Sequence, residues 1–208
     1  MANKSLDNRR ENAGAFPASH LQCYADTIMS LIIATLCKDG CVAITDCRLK
    51  DLYDDGRVEY RDDYEKLVIL NGLMIYNHGY NRINNQDWKL SASELSPDLS
   101  NPIYDSILRE LQNNLSTFAS YVFIRKKHAT EISIDKSEGI SLKYLNPIIK
   151  SGSGARYVDL KQLEQSNLRK IKSVKNPLIK IFKNAYLKQK WNSGEEFSER
   201  YRLYMMKF

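Results

Sequence analysis

The sequence of 208 residues is poor in the features that mark specialised architectures. It has nine glycines and five prolines, which excludes collagen-like and low-complexity chains. No apolar run approaches the ~18 residues of a membrane-spanning helix, and the longest, residues 31–37, has the length of a strand. Charged residues make up 27% and hydrophobic residues 43%, a balance typical of globular proteins. We therefore expect one soluble domain around a single core.

Cysteine and histidine are scarce, and their spacing does not suit a metal site. The sequence has no Cys-x-x-Cys pair, and the histidines are isolated (Cys23, Cys37, Cys41, Cys47; His20, His78, His128). We therefore predict neither a metal nor another cofactor. Cysteines in predicted strands act as small apolar residues, and we expect a reduced, cytoplasmic protein without a Cys37–Cys41 bridge.

Positive charge is concentrated at the end of the chain. The net charge is +6, and residues 143–208 hold 15 Lys and Arg against 5 Asp and Glu. Basic helix faces in contact with solvent account for this excess, since no base-reading motif accompanies it. Nucleic-acid binding is therefore only a third hypothesis, and residues 1–18 lack the apolar centre of a secretory signal.

Two hairpins are predicted near the start of the ordered chain. Residues 30–37 are rich in β-branched side chains, residues 38–40 carry an Asp-Gly turn, and residues 41–48 form the return strand. The second hairpin joins residues 65–70 and 73–78 through Asn-Gly. Residues 49–63, between the two hairpins, are expected to form an exposed loop or short ribbon.

The rest of the chain alternates between helical and extended patterns. Apolar residues recur at helical spacing between positions 101 and 119 (Ile103, Ile107, Leu108, Leu111, Leu115, Phe118). Three extended segments are predicted next, over residues 120–125, 131–135 and 140–149. Two helices, over 155–171 and 177–191, and a final strand over 197–206 complete the chain. Groups of strands followed by groups of helices favour an α+β fold, in which helices cover the outer faces of antiparallel sheets.

The first hairpin resembles the opening of proteasome β-subunit-like N-terminal nucleophile (Ntn) hydrolases. Those proteins begin with a threonine nucleophile on a strand, then an Asp-Gly turn, then a strand ending in Asp-x-Arg. The resemblance implies a four-layer αββα sandwich of two antiparallel sheets. It also implies that Ser30 is the nucleophile, that Asp46 holds the catalytic Lys66, and that Arg48 is an accessory residue. Gly79 would supply the oxyanion hole.

A later segment resembles the serine motif of the same family. Residues 152–157 read Gly-Ser-Gly-Ala-Arg-Tyr, where the family has Gly-Ser-Gly-Ser-x-Tyr. The resemblance implies that Ser153 hydrogen-bonds the terminal amine and that Ser193 is a further accessory serine. Lys190 stands where the family has an acidic residue, which is a departure from the pattern.

This chemistry requires Ser30 to be the first residue, because its α-amine is the base and its hydroxyl is the nucleophile. Met29 immediately precedes it. Initiation at Met29 followed by methionine removal would expose Ser30, whereas a start at Met1 would require cleavage of the chain. We interpret residues 1–29 as a leader that is disordered and removed, or that belongs to an upstream start, and residues 30–208 as the Ntn-type domain.

The sequence thus predicts a cytoplasmic amide-bond hydrolase, a peptidase or transpeptidase, which acts on peptides or proteins and forms a homo-oligomer. The alternative is a catalytically inactive scaffold or binding subunit. Each site residue also has a purely structural interpretation. Ser30 could begin a strand, Lys66 could be an edge charge that opposes aggregation, and Ser153 could cap a helix. Asp46 and Arg48 could form an ion pair.

Overall fold

Two antiparallel sheets and one long helix dominate the computed structural model, which describes residues 30–52, 55–70, 72–79, 82–83, 86–89, 119–126, 128–135, 139–164, 170–192 and 196–208. The strands are β1 Ile32–Cys37, β2 Gly40–Asp46, β3 Leu49–Leu52, β4 Val58–Arg61, β5 Leu67–Leu70, β6 Leu73–Gly79, β7 Arg82–Ile83, β8 Gln86–Asp87, β9 Ala119–Ile124, β10 Ala129–Asp135, β11 Gly139–Leu145, β12 Ile148–Ser151 and β13 Tyr201–Lys207. The helices are a 3₁₀ helix Ser153–Tyr157, α1 Lys161–Glu164 and α2 Ile171–Trp191.

The first sheet has the strand order β12–β1–β2–β13, with every pair antiparallel. Strands β1 and β2 form the predicted first hairpin. A Cβ at Gly40, where the hairpin closes, would lie 2.0 Å from the Met206 carbonyl oxygen, so only glycine fits beside β13. Because β1 lies between β12 and β2, the two residues before it bond the chain at the ends of both neighbours: Leu31 O accepts from the Asp46 N–H and Ser30 O from the Gly154 N–H.

The second sheet has the order β11–β10–β9–β6–β5, and the predicted Asn-Gly hairpin supplies β5 and β6. The two hairpins therefore belong to different sheets. Strands β3 and β4 pair as a separate two-stranded ribbon, which confirms the short ribbon predicted between the hairpins.

Apolar side chains fill the space between the two sheets. Strand alternation sends one set of residues inward from β1 and β2 (Ile32, Ala34, Cys41, Ala43) and brings them against the second sheet (Leu67, Met74, Tyr76, Val122, Ile124). The opposite face of the first sheet packs on α2 (Leu31, Ile33, Val42, Ile44 against Val174, Leu178, Ile181, Phe182). Each large side chain buried here contributes about 1.5–3 kcal/mol to folding.

The helical prediction for residues 155–171 is wrong. In the described part of this range, the 3₁₀ helix ends at Tyr157, residues 158–160 are not helical, and α1 covers Lys161–Glu164. The next helix, α2, begins at Ile171 rather than at Pro177. The earlier start has a tertiary cause, since Asp39 Oδ1 accepts the Ile171 N–H at 2.8 Å and the Val174 side chain of α2 is buried against the first sheet. Proline 177 therefore lies inside the helix, although it lacks the N–H that an interior residue donates.

Two strand predictions also need correction. The expected single segment over 140–149 is split between β11 in the second sheet and β12 in the first. The last strand begins at Tyr201 instead of Phe197, because the Phe197 backbone bonds both amide atoms of Gln189 in α2.

Three layers are visible in the described part of the chain: α2, the first sheet and the second sheet. The helix predicted over 101–119, which would supply a fourth layer, lies outside the described residues up to position 118. Among the helices of the described ranges, none has the length and apolarity needed to cross a membrane.

Candidate active site

Ser30, Asp46 and Lys66 meet at one end of the interface between the sheets. Lys66 Nζ donates to Ser30 Oγ at 2.8 Å and to the two Asp46 carboxylate oxygens at 2.9 and 3.0 Å. All three residues are buried, with 3%, 0% and 3% exposure for Ser30, Asp46 and Lys66. The ammonium group is thus held between a carboxylate and a hydroxyl.

Strand ends position these side chains. Asp46 closes β2, and its backbone N–H donates to the Leu31 carbonyl at 3.1 Å, which extends the β1–β2 pairing next to Ser30. The Asp46 carboxylate in turn accepts the Leu31 N–H at 2.8 Å and the Arg48 N–H at 2.9 Å. Lys66 immediately precedes β5, where its carbonyl accepts the Asn77 N–H at 3.1 Å. The carboxylate therefore joins three backbone segments around the lysine.

The turn after β12 holds the backbone of Ser30. Ser153 Oγ accepts the Ser30 N–H at 3.3 Å, and the Gly154 N–H donates to the Ser30 carbonyl at 3.0 Å. Gly152 has φ +91°, and a Cβ there would lie 2.3 Å from the Ser30 carbonyl oxygen. The glycine is therefore required by both its conformation and its close approach. Ser153 is the first residue of the 3₁₀ helix and not its N-cap, which is Gly152.

Arg48 faces the ribbon formed by β3 and β4. Its guanidinium bonds both carboxylate oxygens of Asp62 at 2.8 and 3.0 Å, and it lies over the Tyr60 ring, 5.5 Å from the centroid. The bidentate pair keeps the pKa of Asp62 below its usual value, with the Arg48 hydrogen bond as the largest cause. The structural alternative for Arg48 was an ion pair with Asp46. Its guanidinium does form an ion pair, and the partner is Asp62.

Burial sets the electrostatics around the lysine. Removal from water lowers the pKa of Lys66 below its ordinary value, while the adjacent Asp46 charge opposes that shift. Tyr76 is also fully buried, and burial, with the Asp46 charge second, raises its pKa well above the usual range. Its hydroxyl lies close to the Ser30 side chain and has no hydrogen-bond partner within the described ranges. The tyrosine therefore remains protonated beside Ser30.

The remaining residues of the predicted site are Gly79, Ser193 and Lys190. Gly79 ends β6 with φ +87° and pairs with Ala119, and its oxyanion role remains a prediction. Ser193 lies outside the described residues. Lys190 is exposed near the end of α2. Cys37, Cys41 and Cys47 are free thiols.

Sequence reasoning missed several residues next to the site. Tyr76 and His78 share β6 with Gly79, and Glu131 and Ser120 come from β10 and β9. His78 had been noted only as an isolated histidine. The alternating pattern of β6 could have placed Tyr76 and His78 on one face, but only the pairing of strands brings the others near them. In the described ranges, no group of three or more His, Cys, Asp or Glu side chains could hold a metal ion.

The arrangement is suited to activating a hydroxyl. A lysine charge at 2.8 Å favours the alkoxide form of Ser30 over the neutral hydroxyl, and Asp46 keeps the ammonium in place. The backbone nitrogen of the same residue is hydrogen-bonded to Ser153 Oγ. In the uncut chain this nitrogen is a peptide amide, and it marks the position that a free α-amine would take.

Comparison with known proteins yields structural likeness without sequence likeness. No family model and no curated sequence matches the chain. Eukaryotic HslV from Trypanosoma brucei superposes with a TM-score of 0.53 and 12% identity, covering 86% of this chain and 99% of that one. Anbu from Hyphomicrobium sp. strain MC1 gives 0.54 and 12%, and Anbu (ancestral beta-subunit) from Yersinia bercovieri gives 0.50 and 10%, each covering 85% of this chain and 82% of the other.

Each of these likenesses extends over at least 85% of the chain. HslV is a proteasome-like Ntn hydrolase and Anbu is proteasome β-subunit-like, in agreement with the motifs of the first hairpin. The antiparallel sheets and their helix follow the same pattern. The chain has the fold of the proteasome-type Ntn hydrolases.

Proposed function

We propose that the protein is an amide-bond hydrolase whose nucleophile is the hydroxyl of Ser30, freed as the N-terminal residue. One observation carries the proposal: Lys66 Nζ donates to Ser30 Oγ at 2.8 Å while both Asp46 oxygens hold the same ammonium. A lysine that only opposed aggregation at a strand edge would be exposed to solvent, whereas Lys66 is 3% exposed.

The chemistry would follow from groups on one residue. The free α-amine of Ser30, with an ordinary pKa of about 8, accepts the proton of the hydroxyl as Oγ attacks the amide carbonyl carbon. The C–N bond then breaks, and the same proton passes to the leaving amine. Water attacks the resulting ester, the acid departs and Oγ regains a proton. An amine in place of water would give transpeptidation.

Ser153 and Gly79 have supporting roles in this proposal. The Ser153 hydroxyl, 3.3 Å from the Ser30 nitrogen, would orient the amine. Backbone N–H groups near Gly79 would stabilise the oxyanion, a contribution of about 3–4 kcal/mol. Peptides or proteins are the proposed substrates. We further propose a cytoplasmic homo-oligomer and a fourth, helical layer from the pattern over 101–118.

Exposure of the amine is part of the proposal. Residues 1–29 must be absent from the active species, either through initiation at Met29 or through cleavage between Met29 and Ser30. Intact-mass analysis of the untagged natural protein should give a chain that begins at Ser30. Met29 still attached to a protein that turns over substrate would contradict the proposal, because the base would then be an amide nitrogen.

Covalent labelling tests the nucleophile directly. The protein beginning at Ser30 is treated with a β-lactone or epoxyketone, and the modified residue is located by peptide mass spectrometry. We expect one label on Ser30, its loss in Ser30→Ala, and its retention in Ser133→Ala, which removes a hydroxyl bonded to Ser141. Labelling that survives Ser30→Ala would overturn the assignment.

A catalytically inactive scaffold is the second candidate. Lys190, exposed where the family pattern has an acidic residue, is the observation that favours it. This candidate predicts an unlabelled Ser30 in a protein that still assembles. Light scattering together with the labelling experiment separates the two candidates.

A further inference from the structure

A buried polar cluster lies beside the proposed nucleophile and has no role in the chemistry described so far. Ser151 Oγ donates to Glu131 Oε1 at 2.9 Å, and Ser120 Oγ donates to the same oxygen at 2.7 Å. His78 Nε2 lies 3.0 Å from Ser151 Oγ and 3.5 Å from Glu131 Oε1. The side chains of His78 and Glu131 are only 6% and 16% exposed. Such a cluster is costly to bury unless its members satisfy one another.

The hydrogen bonds of the cluster run in one direction. A serine hydroxyl has one proton, and Ser151 gives it to the Glu131 carboxylate, so its oxygen can only accept from His78 Nε2–H. Burial lowers the pKa of His78, which keeps the ring neutral. Burial acts to raise the pKa of Glu131, but hydrogen bonds from His78, Ser120 and Ser151 lower it from 4.5 to about 2. The carboxylate is therefore the charged acceptor on which the side chains of Ser120, Ser151 and His78 converge.

Ser151 begins the segment that holds Ser30. It ends β12 opposite Ile32, and the next three residues each approach Ser30. Gly152 lies so close that a Cβ would be 2.3 Å from the Ser30 carbonyl oxygen. Ser153 and Gly154 hydrogen-bond the Ser30 nitrogen and carbonyl at 3.3 and 3.0 Å. A shift of Ser151 would therefore move all three contacts.

The other members of the cluster belong to the second sheet. Glu131 is on β10, Ser120 on β9 and His78 on β6, next to Gly79. In the β6–β9 register, His78 lies directly opposite Ser120. Lys66, which donates to Ser30 Oγ, precedes β5 of that same sheet. The cluster is thus a polar connection between the sheet that carries the lysine and the turn that carries Ser153.

We propose that Glu131 is a positioning residue, which through Ser151 and His78 fixes the 152–154 turn and so sets the Ser30 nitrogen and hydroxyl against Lys66. The labelling measurement for this proposal rests on the function proposed above. The placement of the 152–154 turn can be tested separately by amide hydrogen exchange. Glu131 does not touch the reacting atoms and acts through Ser151 and His78.

The test uses Glu131→Gln in the protein that begins at Ser30. An amide of the same shape cannot accept both serine protons with the strength of a carboxylate, so the turn should loosen. We expect the maximal rate constant of β-lactone labelling to fall about 10- to 100-fold, as for a small misplacement of a reacting group. The concentration for half-maximal rate should change less than about twofold. Amide hydrogen exchange in the 151–156 peptide should become faster.

Matched variants separate positioning from general loss of structure. Ser133→Ala, two residues along β10, removes the bond to Ser141 and should alter neither labelling nor exchange at 151–156. The double variant of Glu131→Gln with Ser151→Ala should label no more slowly than the slower single variant, since both break one connection. If Glu131→Gln does not fold, Ser120→Ala replaces it, with a smaller effect expected in the same direction.

The outcomes distinguish this inference from the proposed function. Labelling at the unaltered rate in Glu131→Gln, or unchanged exchange at 151–156, would overturn the positioning role. If the unaltered protein is not labelled, the proposed function fails. Amide hydrogen exchange at residues 151–156 in Glu131→Gln then tests the positioning role by itself. Faster exchange confined to 151–156 would then support Glu131 as the residue that holds the turn, and unchanged exchange would still overturn it.

Discussion

The buried ion pair at the candidate site and the exposed one on the β3–β4 ribbon have almost the same geometry. Lys66 and Asp46 are 2.9 Å apart with side chains 4% and 0% exposed, whereas Arg61 and Asp51 are 3.0 Å apart with 54% and 23% exposed. Distance alone would rank them equal. Burial makes them different, because water screens the ribbon pair and is excluded from the other.

The two pairs also differ in their other partners. The Asp46 carboxylate accepts two backbone N–H groups in addition to the lysine, and the lysine also reaches Ser30. The attraction within a buried ion pair offsets the cost of desolvating the two charges only when further hydrogen bonds satisfy their remaining donors and acceptors. For the buried pair these are the bonds to the Leu31 and Arg48 N–H groups and to Ser30, and the following experiments test the difference between the two pairs.

The largest effect should come from removing the buried ammonium. Lys66→Met leaves the Asp46 carboxylate buried without its cation, so we expect a loss of about 3–5 kcal/mol in the free energy of unfolding. Urea denaturation measures it, and β-lactone labelling of Ser30 should disappear as well. A loss no greater than that of Arg61→Met would show that burial does not separate the two pairs.

Two glycines with positive φ allow the next comparison. Gly152→Ala combines a left-handed backbone with a Cβ 2.3 Å from the Ser30 carbonyl oxygen, and we expect it to cost about 3 kcal/mol. Gly56 on the ribbon side has φ +80° and open space around it, so Gly56→Ala should cost only about 1 kcal/mol. Thermal unfolding of both variants provides the measurement, and equal losses would mean that the turn can move away from Ser30.

The acid limb of stability should depend on Glu131. Its folded-state pKa of about 2 lies below the ordinary 4.5, so its contribution is complete above pH 4.5 and is lost as the pH falls from 4.5 to about 2. Because the carboxylate is partly exposed, we expect about 1–2 kcal/mol instead of the full value of the shift. Urea unfolding between pH 2 and 6 should show a shallower slope for Glu131→Gln. If the free energy of unfolding depends on pH as steeply in Glu131→Gln as in the unaltered protein, carboxylates other than Glu131 account for the loss of stability in acid.

The smallest effect should come from the ribbon itself. Arg61→Ala removes the exposed pair with Asp51, and we expect about 0.2–1 kcal/mol, which decreases further in 1 M salt. Denaturation at low and high ionic strength provides the measurement. A loss above 2 kcal/mol would mean that the ribbon is stabilised more strongly than its exposure suggests.

Local signals in the sequence were sufficient for the hairpins. The Asp-Gly turn before Cys41 and the Asn-Gly turn before Leu73 each lie between apolar runs, and both hairpins formed as predicted. Helix boundaries were predicted less well. The start of α2 depends on a bond between Asp39 and Ile171, 132 residues apart, which no local pattern records.

The candidate site shows the same division. The resemblance to the proteasome-type family, carried by the order of short motifs along the chain, implied Ser30, Asp46, Lys66 and Ser153, and the structure brings them together within hydrogen-bond distance. Glu131 was not selected, because a lone glutamate on a predicted strand has no periodic or motif signal. Its position against Ser151 arises only when the two sheets stack.

The order of residues by itself determined two tight turns, the strands beside them and the residue types able to activate a hydroxyl, because turns and alternation depend on near neighbours. Tertiary structure alone decided which sheet each hairpin joined, how deeply Lys66 was removed from water and which side chains surround Ser151. Those properties depend on contacts between distant segments, whose free energies exist only once the two sheets and α2 have packed together.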